Sequence, residues 1–276
     1  VYSFKLYYNY IEGFDIMKKI VISGIFIILI LGICMFIGKL PFYLLMGFIS
    51  LAGIYEFINI KYDNKKLLKF PKYITYIFTL LMTLNNTFYT TNVVNLIILL
   101  ILSLTIPLVI YNDKDKYNIN DTMYLIGTSL ILSLAFNSLI KLKDINIYLC
   151  LYVFIISFMT DTYAYIGGML IGRNKLTTIS PKKTIEGSIV GTVMATIIGS
   201  VFYNILIGDH NLYLVILFSL ALSIVSQFGD LFFSVIKRYF DKKDYSNLIP
   251  GHGGILDRLD SVIFVTLLLD LIISIF

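Results

Sequence analysis

Charge is what this sequence has least of. Only 14% of its 276 residues are Asp, Glu, Lys or Arg, against 58% hydrophobic ones. Soluble domains carry about 25% charged residues, so a water-exposed globule is excluded, and a mean hydropathy of +0.86 agrees. Cysteine is nearly absent as well. Cys34 and Cys150 lie in or beside apolar runs with neither disulfide nor metal spacing, which leaves them as small buried hydrophobes. No Gly-x4-Gly-Lys-Ser/Thr phosphate loop occurs, so any nucleotide is held by another device. No basic stripe with interleaved aromatics occurs in a polar segment, which excludes nucleic acid as a partner. Most polar connections are short, so a separate catalytic module is excluded too.

What is there is a series of long apolar runs. A spanning helix needs about 20 mostly apolar residues, and the sequence predicts nine such spans, near 20–37, 40–60, 71–90, 93–111, 123–140, 147–171, 187–207, 212–236 and 257–276. The third is the weakest, because Asn85, Asn86 and Thr87 interrupt it. The expected fold is an all-α integral membrane protein. Lysine and arginine collect in cytoplasmic loops, and nine spans with a cytoplasmic N-terminus put nineteen of the twenty-two basic residues inside. Only Lys39, Lys141 and Lys143 then lie outside, together with the C-terminus. The same split makes the cytoplasmic face the chemical one. A net charge of +5 implies attraction to anionic head groups and anionic substrates.

Three stretches organise the chain. Residues 1–16 read as a leader ahead of a start at Met17-Lys18-Lys19, and no small-residue cleavage site follows the first apolar run, so that helix is expected to be retained. Residues 17–145 are apolar helices with few polar groups. Glu56 is their exception, one turn from the cytoplasmic end of the second span, and its expected partner is a neighbouring lysine or a water-filled crevice. Residues 146–276 carry the chemistry, because ionisable groups inside lipid are costly and mark function.

In that second part, Ser157, Asp161, Tyr165 and Gly168 share one helical face, and so do Ser226, Asp230, Ser234 and Lys237 with Gln227 beside them. Asp257 and Asp260 open the last span three residues apart. With about 1.5 Å rise per residue from a start at Leu212, Asp230 lies about 27 Å along its helix, at lipid head-group depth. Asp230, Asp257 and Asp260 are therefore candidate ligands of a divalent cation, which would offset the cost of three buried carboxylates. The alternative is a set of structural ion pairs with Lys237, Arg238 or Arg258.

Two polar islands surround these aspartates. In Gly172-Arg-Asn-Lys-Leu-Thr-Thr-Ile-Ser-Pro-Lys-Lys-Thr-Ile-Glu-Gly187, Ser180-Pro181 at a helix start, with Thr184, offers free N–H groups to an anion. Lys182 and Lys183 add charge suited to a triphosphate, although on this loop alone a plain positive-inside anchor is the better explanation. The other island runs 27 residues from Ser234 to Asp260. It combines Lys237, Arg238 and Arg258 with the turn Gly251-His252-Gly253-Gly254, whose glycines let a backbone approach a ligand. His252 reads as a hydrogen-bond donor or positioner; a phosphomonoester has a second pKa of about 6 and needs no base near neutrality. His210 falls in an outside loop.

The second island resembles the signature of phosphatidate cytidylyltransferases, the CDP-diacylglycerol synthases. The residues that carry the likeness are Ser234, Ile236-Lys237-Arg238, Lys243-Asp244, Ser246, Pro250, His252-Gly253-Gly254 and Asp257-Arg258-Leu259-Asp260. Upstream, Asp161-Thr-Tyr-Ala-Tyr-Ile-Gly-Gly and Ser180-Pro-Lys-Lys-Thr-Ile-Glu-Gly are similar to that family as well, so the likeness covers mainly 157–276. It implies transfer of the cytidylyl group of CTP to phosphatidate, giving CDP-diacylglycerol and pyrophosphate for phospholipid synthesis in the bacterial cytoplasmic membrane. It also implies Mg2+ on Asp230, Asp257 and Asp260, with K+ as a second cation. Lys237, Arg238, Asp257 and Arg258 would act on the reacting phosphates. Asp161, Ser180, Lys182, Lys183, Thr184, Ser234, His252, Gly253 and Gly254 would bind substrate. The expected partners are CTP, phosphatidate and membrane lipids, with a homodimer as the assembly considered. The rival is a cation-coupled transporter, disfavoured because the acidic residues gather toward one face and no matching broken helices occur in the two halves.

Overall fold

In a bilayer, backbone N–H and C=O groups must be satisfied within the segment, which favours the helix for apolar runs of this length. The computed structural model describes residues 24, 29–62, 67–110, 116–208, 211–249 and 253–275. Among them every extended element is an α-helix, with three isolated β-bridges in turns. Residues 29–37 are helical. They precede α1 (Lys39–Tyr62), α2 (Lys69–Thr83), α3 (Val93–Ile110), α4 (Ile119–Ile145), α5 (Ile147–Ile171), α6 (Ile185–Leu206), α7 (Leu212–Tyr239) and α8 (Leu256–Ile275). The expected leader at 1–16 lies outside the described residues, as does most of 20–28 in the first expected span.

Six helices, α1 and α3 to α7, are long and apolar enough to cross a membrane, which makes this a multi-pass protein. The described helices do not reach the count of nine by that measure. α2 has only 15 residues, short of the roughly 20 a crossing needs. Asn85 and its neighbours end it: Asn86 takes the left-handed φ of 65°, which asparagine tolerates well. The Asn85 amide group brackets Thr91, and Asn137 of α4 donates to the carbonyls of Thr83 and Asn85 at 3.0 and 2.8 Å. α8 is long enough but carries Asp257, Arg258, Asp260 and Asp270.

α4 is the middle of the bundle, packing on α1, α2, α3, α5 and α8. Its start is fixed by a reciprocal cap. The Asn118 side chain accepts from the Asp121 N–H, and Asp121 accepts from the Asn118 N–H, an arrangement worth about 1 kcal/mol. Asn146 both ends α4 and caps α5, so the two helices reverse without a loop.

The most extensive helix contact is α5 with α6. Lipid tails are as apolar as leucine, so such a pair is held by close packing over small residues. Cβ atoms added at Gly187 and Gly191 would come within 2.4 Å of the Ala164 carbonyl and 2.6 Å of the Thr160 carbonyl. Outward, large apolar side chains such as Val109, Leu170 and Ile205 are exposed, as a lipid-facing surface requires.

The two ends of the bundle differ. At one, Lys39 pairs with Asp144 at 3.3 Å and Lys141 with Asp270 at 2.6 Å. At the other, the last turns of α5 and α7 meet the first turns of α6 and α8, and both polar islands emerge there.

Candidate active site

Those four helix ends enclose a cavity of about 520 Å3. Four cationic side chains, Lys182, Lys183, Lys237 and Arg258, line it together with five carboxylates, Asp161, Asp230, Asp244, Asp257 and Asp260. Ser180 and Thr184 complete the expected residues in the wall. The fold thus joins the two islands and the Asp161 helix into one chamber.

The first island enters through α6. Its helix begins four residues later than Pro181, at Ile185, because the Thr184 hydroxyl caps it by accepting from the Gly187 N–H at 3.1 Å. Ser180 instead closes a turn, its carbonyl accepting from the Lys183 N–H at 3.0 Å. Glu186 fixes the other side of the loop, accepting from the backbone N–H groups of Arg173 and Asn174 at 3.1 and 3.2 Å. Lys183 then reaches across to form an ion pair with Asp230 of α7, while Lys182 is exposed at the rim.

α7 begins at Leu212, so the depth expected for Asp230, about 27 Å along the axis, follows from the helix rise. Gln227, one turn deeper, donates to the Ser188 carbonyl and to Thr192 at 3.2 and 2.7 Å, which holds α7 against α6 below the cavity. Ser234 is outside the cavity wall; its hydroxyl makes a long 3.4 Å bond to Asp230. Arg238 is outside it too, donating to the Lys242 carbonyl at 3.0 Å.

Asp257 is heavily engaged. Lys237 donates to its Oδ1 at 2.7 Å, and the N–H groups of Tyr245 and Gly254 donate to its Oδ2 at 2.9 and 2.8 Å. Gly253 has φ +81°, and a Cβ there would lie 2.9 Å from that same Oδ2, so the turn needs a glycine both for its backbone and for the approach. His252 lies outside the described residues. Tyr245 is 4% exposed and donates to the Phe233 carbonyl at 3.1 Å. Burial, then the nearby Tyr124 and Asp257, push its phenol above the ordinary range, and it remains a donor rather than a charge.

Asp161 and Asp260 are placed differently. Asp260 is 7% exposed and accepts from the Ser261 N–H at 2.8 Å; the Ser261 hydroxyl donates to Asp161 at 3.3 Å. Among the described residues neither carboxylate is in an ion pair. Both line the cavity together with Asp230. Among the described residues no three His, Cys, Asp or Glu side chains converge tightly enough to hold a metal by themselves.

Two residues stand beyond the roles the sequence assigned. Asp244, given only as part of the family signature, lines the cavity. Among the described residues Glu56 makes no ion pair with a lysine, and it does not line the cavity. It is fully buried, and its carboxylate accepts from the Ser246 hydroxyl at 2.5 Å and the Ile255 and Leu256 N–H groups at 2.8 Å each. A buried acid in an apolar helix was visible in the sequence; that its donors lie some two hundred residues away was not.

Comparison with known proteins gives a consistent picture. The model of the cytidylyltransferase family matches residues 18–276. A phosphatidate cytidylyltransferase of Bacillus subtilis (strain 168) is 28% identical over 272 residues, covering 94% of this chain and 98% of the relative. One from Staphylococcus haemolyticus (strain JCSC1435) is 37% identical over 162 residues, 58% of this chain and 62% of the relative. One from Staphylococcus aureus (strain COL) is 35% identical over 162 residues, with the same shares covered.

Proposed function

The chain belongs to the cytidylyltransferase family, and from that premise we propose that its cavity transfers the cytidylyl group of CTP to phosphatidate. The observation that carries the reading is the gathering of Lys182, Lys183, Lys237 and Arg258 beside five aspartates at the end of apolar helices. Cations there suit two phosphate-bearing substrates, and the depth of Asp230 suits a lipid phosphate whose acyl chains stay among the helices.

In the reaction, an oxygen of the phosphatidate phosphate forms a bond to the α-phosphorus of CTP. The bond from that phosphorus to the oxygen bridging to the β-phosphate breaks, and pyrophosphate leaves with the electron pair. The attacking phosphate is already a dianion near neutral pH, so no side chain has to take a proton. Lys183, Lys237 and Arg258 line the wall where charge builds on the transferring group and the leaving pyrophosphate. Lys182 at the rim draws in the triphosphate, and the Lys183–Asp230 pair opens as Lys183 turns to it.

The donor chemistry fits Mg2+, which takes oxygen ligands and commonly uses one or two carboxylates completed by substrate phosphates and water. One or two of Asp230, Asp257 and Asp260 at a time would hold it with substrate oxygens; Asp257 Oδ1 keeps a lone pair beyond its bond to Lys237, and Asp161 lines the same cavity. When bound, Mg2+ supplies charge neutralisation between the two phosphates. K+ is the second cation proposed for this cavity. The cavity end of the bundle is read as cytoplasmic in a bacterial inner membrane, with nine crossings in all and the C-terminus outside; the distribution of lysine and arginine supports this.

The test is formation of CDP-diacylglycerol from phosphatidate and CTP by protein purified in detergent, with Mg2+ and with chelator. Product that needs Mg2+ and is lost in Asp230→Asn is expected. Folded protein that makes none under either condition overturns the proposal. Sizing the same sample tests the homodimer.

A further inference from the structure

Among the described residues, every side-chain hydrogen bond of Glu56 goes to one segment far away in sequence. Ser246 and Ile255 donate to its Oε1 and Leu256 to its Oε2. Ser246 lies within the connection between α7 and α8, and Ile255–Leu256 is where that connection enters α8. A single carboxylate on α1 therefore takes donors from two separate points of the connection. Gly254 lies directly against it: an added Cβ would come 2.6 Å from Oε1.

Asp257 repeats the arrangement on the cavity side. It accepts from Tyr245 and Gly254, each one residue before a Glu56 donor. The loop's neck is thus gripped by two carboxylates, one facing the cavity and one buried in the N-terminal half. Three successive N–H groups at the start of α8, those of Gly254, Ile255 and Leu256, are satisfied by them. These are the donors a helix start leaves without partners, and the dipole there favours anionic acceptors. Gly53, one turn before Glu56, lets Leu256 approach α1; a Cβ there would lie 3.1 Å from the Leu256 side chain.

We propose that Glu56 is a positioning residue of the catalytic cavity: it latches the loop between Ser246 and Leu256 to α1 and so sets where Asp257 and Arg258 stand. This rests on the transferase reading for its kinetic consequence, but the latch itself does not. Glu56 touches no wall of the cavity, so it acts only through the loop. A displacement of about 1 Å at reacting groups can cost on the order of 100-fold in rate. Three of the four cavity cations, Lys182 and Lys183 in the loop before α6 and Lys237 on α7, lie outside the latched segment, so binding is affected less than turnover.

The experiment compares wild type with Glu56→Gln and Ser246→Ala in detergent, reading hydrogen exchange over 244–258 and steady-state kinetics. Glutamine keeps the volume but presents an NH2 where at least one donor needs an acceptor. For Glu56→Gln the expected results are faster exchange confined to that segment, with α5 and α6 unchanged. A kcat lower by at least tenfold is expected with KM for CTP within about threefold, whereas a merely destabilised fold would lose active protein without that split. Exchange equal to wild type refutes the latch, and faster exchange with unchanged kcat refutes the positioning role. If Glu56→Gln does not fold, Ser246→Ala decides: faster exchange at 244–249 with a several-fold lower kcat supports the proposal, and wild-type behaviour overturns it. Wild-type protein that makes no CDP-diacylglycerol removes the transferase reading, and the exchange comparison still judges the latch.

Discussion

Among single side chains, position relative to the cavity separates residues that the sequence treats alike. Arg238 and Arg258 both sit in the second island, yet only Arg258 lines the wall, while Arg238 bonds a loop carbonyl. Arg258→Ala is expected to slow CDP-diacylglycerol formation about 100-fold, the scale of one lost transition-state donor. Arg238→Ala should cost less than about tenfold in the same assay, because Arg238 does not line the cavity. Ser234→Ala, which removes only a 3.4 Å contact, should stay within about threefold of wild type, as a bond that long is weak. Burial separates the lysines in a second way. Lys237 and Asp257 are 11% and 6% exposed and paired at 2.7 Å, so Lys237→Ala leaves a buried carboxylate without its cation, at a cost of about 3–5 kcal/mol. Lys182 at the rim has no such burden, and Lys182→Ala should change stability by less than about 0.5 kcal/mol. Thermal unfolding of the two variants in detergent checks the contrast.

Among elements, the α5–α6 pair has the least room. Gly191→Ala would put a methyl group 2.6 Å from the Thr160 carbonyl, and backbone cannot yield as a flexible side chain can. The helices must part, with an expected loss of about 1–3 kcal/mol measured by the same thermal unfolding. Since α5 carries Asp161 and α6 carries the loop with Lys182 and Lys183, activity should fall along with stability. α2 teaches the opposite lesson about reading elements from hydropathy. Its apolar run suggested a span to residue 90, but the Asn85–Asn86 turn and its bonds to Asn137 stop the helix at Thr83. The asparagines gave the warning, and only the partner on α4 turned it into a boundary. The start of α6 moved for a similar reason: Pro181 was the visible signal, and the hydroxyl of Thr184 made the better cap.

The whole molecule is polarised along the bundle. The cavity with its two islands occupies one end, and the pairs Lys39–Asp144 and Lys141–Asp270 occupy the other. In a cysteine-free background, a cysteine placed at Lys182 should therefore react with a membrane-impermeant thiol reagent only from the cytoplasmic side, and one at Lys141 only from the opposite side. Labelling of both from one side would break the nine-crossing, cytoplasmic-cavity arrangement. Four helix ends and the loops of the two islands together supply the polar groups that line the cavity.

Composition alone determined the membrane environment and the helical class, because a chain with so little charge cannot be solvated and an apolar span must satisfy its own backbone. Helical spacing also put Asp230 with Lys237 on one face, and Asp257 with Asp260 on another, without knowledge of the fold. Pairing was beyond the reach of periodicity. Lys183 with Asp230, Asp257 with the N–H groups of Tyr245 and Gly254, and Glu56 with Ser246, Ile255 and Leu256 are contacts between elements. Their existence depends on which helices become neighbours and at what height, and that is settled by packing over glycines and caps distributed along the whole chain.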